Sequence, residues 1–248
     1  MPRLERAGSD VAAVADGMRS YWEARAQENA VWYVDTTMDY DAPDMGRFFA
    51  TGHQVVDELL HQAPVQPAGR ERAVEIGCGL GRICLALSEE FGEVIGVDIS
   101  ETMIAKARQL VVRPNVRFEL VSGADLAPVE DGSVDLVTTF TVFQHMPNAP
   151  LIEAYVHEAA RVLAPGGVLA AQWNNLPHPL GGKARGVWER TRHRIGGPFR
   201  LDARVAPEFV GLRLPLDDML AMVRRAGLTV RGTSQTGTLF AWAWATKE

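Results

Sequence analysis

The run Ala73-Val74-Glu75-Ile76 leads directly into Gly77-Cys78-Gly79-Leu80-Gly81, and this junction constrains the fold more than any other feature of the chain. A short apolar run ended by glycines reads as a buried strand, and the glycines let the backbone of the turn approach a ligand closely. Ile83 and Leu87 then follow at helical spacing through Glu89. A strand that turns through glycines into a helix belongs to a parallel α/β unit. It also presents unpaired N–H groups of the helix start to a ligand.

The alternation continues. Glu93–Val97 is a second apolar run, and Ser100 can cap a helix through Leu110. Val116–Leu120 and Ser133–Thr139 read as strands, the latter after an Asp131-Gly132 turn signal. Asn148 can cap a helix carrying Leu151, Tyr155, Val162 and Leu163, which Pro165-Gly166-Gly167 ends before a strand over Val168–Trp173. Near the C-terminus a helix over Pro215–Ala226 precedes strands over Leu228–Ser234 and Thr238–Ala245, spaced as a hairpin. The expected architecture is α/β: a doubly wound, Rossmann-like, mostly parallel sheet with an antiparallel C-terminal hairpin. Two helical patterns, Asp10–Glu28 and Asp44–His61, mark residues 1–65 as an N-terminal helical lid over a core of 66–248. Residues 175–214 form a long insertion in that core.

Composition excludes several classes. The 248 residues carry a net charge of −6, which disfavours a surface built to grip nucleic acid. Cys78 and Cys84 cannot make a disulfide framework and lack metal-site spacing, so no metal is expected. Neither a signal peptide nor an apolar run long enough to cross a bilayer is visible, so the expected location is cytoplasmic. The charge is unevenly spread. Lys183 to Arg204 holds seven basic residues against Glu189 and Asp202, a local +5 that leaves −11 elsewhere.

Three acidic residues stand at the ends of successive strand candidates. Glu75 precedes the glycine turn, where it would repel a pyrophosphate and suits an ammonium instead. Asp98 ends the second strand, where a carboxylate can accept from both ribose hydroxyls. Asp125, in Gly123-Ala124-Asp125-Leu126, can accept from an adenine amino group. The glycines at 77, 79 and 81, with Arg82 following, depart from the G-x-G-x-x-G spacing of dinucleotide enzymes. Together these motifs describe a pocket for a cationic nucleoside.

On these residues the chain resembles the class I S-adenosylmethionine (SAM)-dependent methyltransferases, in particular those acting on small molecules. The likeness runs through residues 71–174, with the turn Arg161-Val162-Leu163-Ala164-Pro165-Gly166-Gly167 among its motifs, and implies a seven-stranded sheet with one antiparallel strand. It implies SAM as cofactor, with S-adenosylhomocysteine as product. Glu75 would face the methionine ammonium, and Gly77 and Gly79 would lie under the methionine. Asp98 would hold the ribose, and Ile99 and Met103 would flank the adenine. Ala124, Asp125 and Leu126 would read the adenine edge, and Phe140 would line the methyl-transfer side with Thr141.

For the acceptor, His145 in Phe143-Gln144-His145-Met146-Pro147 is a candidate base, and Tyr33 a candidate hydrogen-bond donor. Tyr21, Trp22, Trp32 and Tyr33 are candidates for an aromatic cover over the acceptor. The expected reaction is methyl transfer to a small molecule, on oxygen ahead of nitrogen, then carbon or sulfur. The alternatives are an RNA or protein methyltransferase using the basic stretch 183–204, and a SAM-binding protein without catalysis. The sequence leaves open monomer or homodimer.

Overall fold

A computed structural model describes residues 2–177 and 207–248, so the basic stretch 183–204 lies outside the described residues. Its strands are β1 (Arg72–Ile76), β2 (Glu93–Asp98), β3 (Val116–Leu120), β4 (Val134–Thr139), β5 (Leu163–Trp173), β6 (Leu228–Ser234) and β7 (Ala241–Lys247). They form one seven-stranded sheet in the order β3-β2-β1-β4-β5-β7-β6. The neighbours from β3 to β5 pair in parallel, and β7 runs antiparallel to both β5 and β6. The chain leaves β1 toward β2 on one side and reaches β4 on the other. A crevice therefore opens beyond the carboxyl ends of β1 and β4, where open α/β sheets bind ligands.

Strand alternation decides which side chains go to which layer. Val74, Ile76, Ile95, Val97, Val137 and Leu169 face one layer. That layer contains α1 (Pro2–Val34), α5 (Ala149–Val162) and α6 (Leu216–Arg225). Ala73, Val94, Leu136, Val168 and Trp242 face the other. There they meet α2 (Met45–Val56, continued by a π-helical turn over Asp57–His61), α3 (Arg82–Leu87) and α4 (Glu101–Leu110). Caps set the helix starts. Ser100, Asp44 and Asn148 accept from the backbone N–H of Met103 (3.1 Å), Arg47 (3.0 Å) and Leu151 (3.0 Å).

Several boundaries differ from the sequence expectation. The first helical pattern extends to Pro2–Val34 and is broken at Asn29 (φ −161°, ψ 84°). The side chain explains the break, because Asn29 Oδ1 caps the backbone N–H of Trp32 (3.2 Å) and Nδ2 donates to Tyr40 O (2.7 Å). Strand β5 starts at Leu163, not Val168. Its pairing with β4 shifts between Val134 and Leu136, so the Pro-Gly-Gly segment is accommodated within the strand. Strand β7 starts at Ala241, not Thr238. Thr238 Oγ1 instead donates to Gln235 O (2.7 Å) and accepts from Phe240 N (3.0 Å), which lengthens the turn.

The N-terminal helix is tied to the start of α4 by a carboxylate, and Lys106 Nζ donates to Ala26 O (2.7 Å) one turn further on. Glu23 accepts from Ser100 Oγ (2.6 Å) and Thr102 N (3.1 Å) at the start of α4. Burial would raise its pKa, but these bonds prevail and bring it down to about 2. Among the described residues no helix is long and apolar enough to cross a membrane.

Candidate active site

The turn after β1 is held from below by β2. Gly77 N and Cys78 N both donate to Val97 O (2.8 and 2.9 Å), and Gly79 N donates to Asp98 Oδ2 (2.9 Å). Gly77 has φ +70°, and a Cβ there would lie 2.3 Å from Val142 Cγ2. Gly79 has φ +52°, and its Cβ would lie 2.8 Å from Val34 Cγ2. Both positions therefore need glycine for conformation and for space.

Above this turn lies a cavity of about 990 Å³. Gly77, Gly79, Asp98, Ile99, Met103, Phe140, Thr141 and His145 all line it, as do Trp22 and Tyr33 from α1. Tyr21 and Trp32 stand behind, edge-on to Trp22 and Tyr33 (ring centroids 5.3 and 4.9 Å apart). Asp98 Oδ1 accepts from Ser100 N (2.9 Å). Each of its oxygens thus takes one backbone donor, and a carboxylate that lines the cavity has further acceptor capacity. Burial raises the pKa of Asp98, opposed by these backbone bonds.

Four expected cofactor residues sit elsewhere. Glu75 shares a strand face with Ala73, so its carboxyl points under α3 and accepts from Cys84 Sγ (2.9 Å). Burial pushes it up to about 8, and a carboxyl protonated at neutral pH puts no charge beneath the turn. Asp125 bonds within its own turn, accepting from Ser122 Oγ and from Ala127 N (3.0 Å). Leu126 is buried in the core, and its N–H donates to Glu158 (2.8 Å). Of this loop, Gly123 and not Ala124 lines the cavity.

His145 lies between the Trp22 and Phe209 rings, both 5.1 Å away. Its Nδ1 donates to Phe209 O, which leaves Nε2 as the acceptor facing Gln144 Nε2 (3.2 Å). Burial brings its pKa down to about 4, so the ring is neutral and a weak base. Tyr33 Oη donates to Glu28 (3.2 Å), and burial followed by the Glu28 charge pushes its pKa up to about 12.

Two further residues escaped the sequence reading. Gln172, fully buried within β5, accepts from Thr141 N (2.6 Å) and donates to Leu239 O (2.6 Å). It fixes Thr141 in a left-handed conformation (φ 58°) at the cavity wall. A glutamine inside an apolar strand was the available signal. Arg82 is the other. It is 5% exposed and lines the cavity, with its guanidinium 5.8 and 5.7 Å from the Phe48 and Phe140 rings. Its signal was a cation at the first position of a buried helix.

The strand order, the glycine turn and a carboxylate ending β2 define the fold class of the class I, SAM-dependent methyltransferases. Residues 74–171 match the methyltransferase domain family, and this part of the chain is a class I SAM-dependent methyltransferase domain. The chain is 38% identical over 117 residues to a trans-aconitate 2-methyltransferase of Variovorax paradoxus, covering 46% of this chain and 42% of that protein. It is 29% identical over 166 residues to a chloroplastic tocopherol O-methyltransferase of Arabidopsis thaliana, covering 61% and 47%. The matched chain thus spans less than half of each relative's length. In structure it is similar to a Haloferax volcanii putative methyltransferase in complex with the activator Trm112. That likeness has a TM-score of 0.58 at 20% identity and covers 88% of this chain and 96% of that one.

Family and fold imply SAM as the cofactor, and the residues present fit it. The turn has no space for side chains where a ligand must approach, and Asp98, which lines the cavity, has further acceptor capacity. Ile99 and Met103 add apolar surface beside it.

Proposed function

We propose that this protein transfers a methyl group from SAM to a small-molecule acceptor, with oxygen the preferred atom. The observation that carries the reading is the continuity of one cavity. It runs from Asp98 and the glycine turn to an outer part walled by Trp22, Tyr33, Phe140, Phe209 and Phe240. Its volume is at the upper end of the roughly 300–1,000 Å³ usual for small-molecule sites, which leaves space beside a nucleoside cofactor. The aromatic walls suit a flat or apolar acceptor. The relatives named for trans-aconitate and tocopherol methylation support a small molecule as acceptor.

When bound, SAM supplies an activated methyl group on a sulfonium. The chain's own residues then have to bind, align and exclude water. The segment 1–65 does the excluding: α1 lies over the cavity, anchored through Glu23. Gln172 holds Thr141 at the wall. His145, neutral and weakly basic, positions the Phe209 segment through its Nδ1–H and leaves no strong base at this place. That supports an acceptor whose oxygen ionises readily.

The test is calorimetry with SAM and S-adenosylhomocysteine, then incubation with methyl-labelled SAM and fractionated cell extract. Mass spectrometry should show a small product heavier by one methylene. Binding of neither nucleoside would overturn the proposal.

A further inference from the structure

Glu75 does not face the cavity, so the positive end of a methionine tail needs another counter-charge. The structure holds one. Asp35 and Arg82 both line the cavity, Asp35 Oδ2 lies 3.7 Å from Arg82 Nη1, and their side chains are 11% and 6% exposed. At that length the pair is not hydrogen-bonded directly. Each is instead oriented by neighbours. Asp35 Oδ1 accepts from Thr37 N (3.0 Å) and Thr37 Oγ1 (2.7 Å). Arg82 Nη1 donates to Thr51 Oγ1 (2.5 Å), and the guanidinium lies against Phe140. Among the described residues nothing accepts from Arg82 Nε or Nη2, which leaves a buried cation with spare donors beside a cavity.

The pair is also linked to Asp98 across the glycine turn. Asp98 bonds Gly79, Gly79 abuts Val34, and Val34 adjoins Asp35. An α-amino acid carries its ammonium and carboxylate on one carbon, so a site for it needs an acid and a base side by side. We propose that Asp35 and Arg82 are the subsite for the amino-acid tail of the cofactor, with Asp35 facing its ammonium and Arg82 its carboxylate. The proposal rests on the SAM reading of the cavity and adds the residues that distinguish the intact cofactor from its nucleoside fragment.

The test uses the full chain, calorimetry and three ligands. S-Adenosylhomocysteine carries both charges, its decarboxylated analogue only the ammonium, and 5′-methylthioadenosine neither. Arg82→Gln should weaken S-adenosylhomocysteine roughly 10- to 100-fold, the loss of a charge-assisted contact, and change the other two less than about threefold. Asp35→Asn should weaken S-adenosylhomocysteine and the decarboxylated analogue by a similar factor and spare methylthioadenosine. Equal losses for all three ligands in both variants would reduce the pair to a structural clasp and overturn the proposal. If Arg82→Gln fails to fold, Asp35→Asn, nearly isosteric, decides by the same comparison. Failure of the wild-type chain to bind any of the three overturns the cofactor reading itself. Normal wild-type binding with unselective losses overturns only this proposal.

Discussion

Glu75 and His145 pull stability in opposite directions as pH changes, and replacing Glu75 separates them. The folded chain holds His145 at about 4, below its ordinary 6.5. Between those values the unfolded chain takes a proton that the folded chain refuses, so stability rises with pH. Glu75 is held at about 8, above its ordinary 4.5. Between those values the unfolded chain has lost a proton that the folded chain keeps, so stability falls as pH rises. Each slope is at most ~1.4 kcal/mol per pH unit. The two offset one another from 4.5 to 6.5, and only the Glu75 slope remains from 6.5 to 8. Over about 1.5 pH units that is ~2 kcal/mol, or a drop of ~4–8 °C in Tm for a chain of this size. Glu75→Gln keeps an acceptor for Cys84 and removes the titration. Its Tm should therefore be flat from pH 6.5 to 8 and should fall below 6.5, where His145 acts unopposed. Thermal unfolding of both proteins at half-unit pH steps reads this directly. A wild-type decline reproduced in Glu75→Gln would refute the reasoning.

Asp98→Asn replaces one acceptor oxygen with an amide N–H facing either Gly79 N or Ser100 N. S-Adenosylhomocysteine affinity should fall at least tenfold by calorimetry, the loss of about 1.5–3 kcal/mol. Unchanged affinity would remove Asp98 from the ribose site. Gly52→Ala would place a Cβ 2.2 Å from Arg82 O, forcing α2 away from α3 at a cost of ~1–3 kcal/mol, visible as a lowered urea midpoint. His145→Ala should retain S-adenosylhomocysteine binding and lose less than tenfold in turnover. A loss of a hundredfold or more would restore His145 as the general base.

What the sequence could reveal followed from local rules. The glycine turn, the Ser100 and Asn148 caps and the strand runs from β1 to β4 are written in adjacent residues, and the structure places them as read. Glu75 was harder because motif position and strand face gave conflicting answers. Alternation along β1 already put residue 75 on the face of Ala73, away from Ile76, which lines the cavity. The start of β7 was missed because Thr238 uses its side chain to extend the turn, a choice invisible to β-propensity. Arg82, Asp35 and Gln172 could not be joined from sequence, since their contacts cross 47, 16 and 31 residues to Asp35, Thr51 and Thr141 respectively.

The family match ends at residue 171, yet much of the cavity wall comes from outside it. Trp22 and Tyr33 precede the matched segment, and Phe209 and Phe240 follow it. The glycine turn and Asp98 are thus inherited on one stretch of chain, and the outer wall, Phe140 apart, on others. Exchange of the flanking segments between relatives would redraw the outer wall while leaving the glycine turn and Asp98 as they are. Divergence in what such proteins accept is then expected to leave its record in the flanks, and a survey of variants for altered selectivity should begin there.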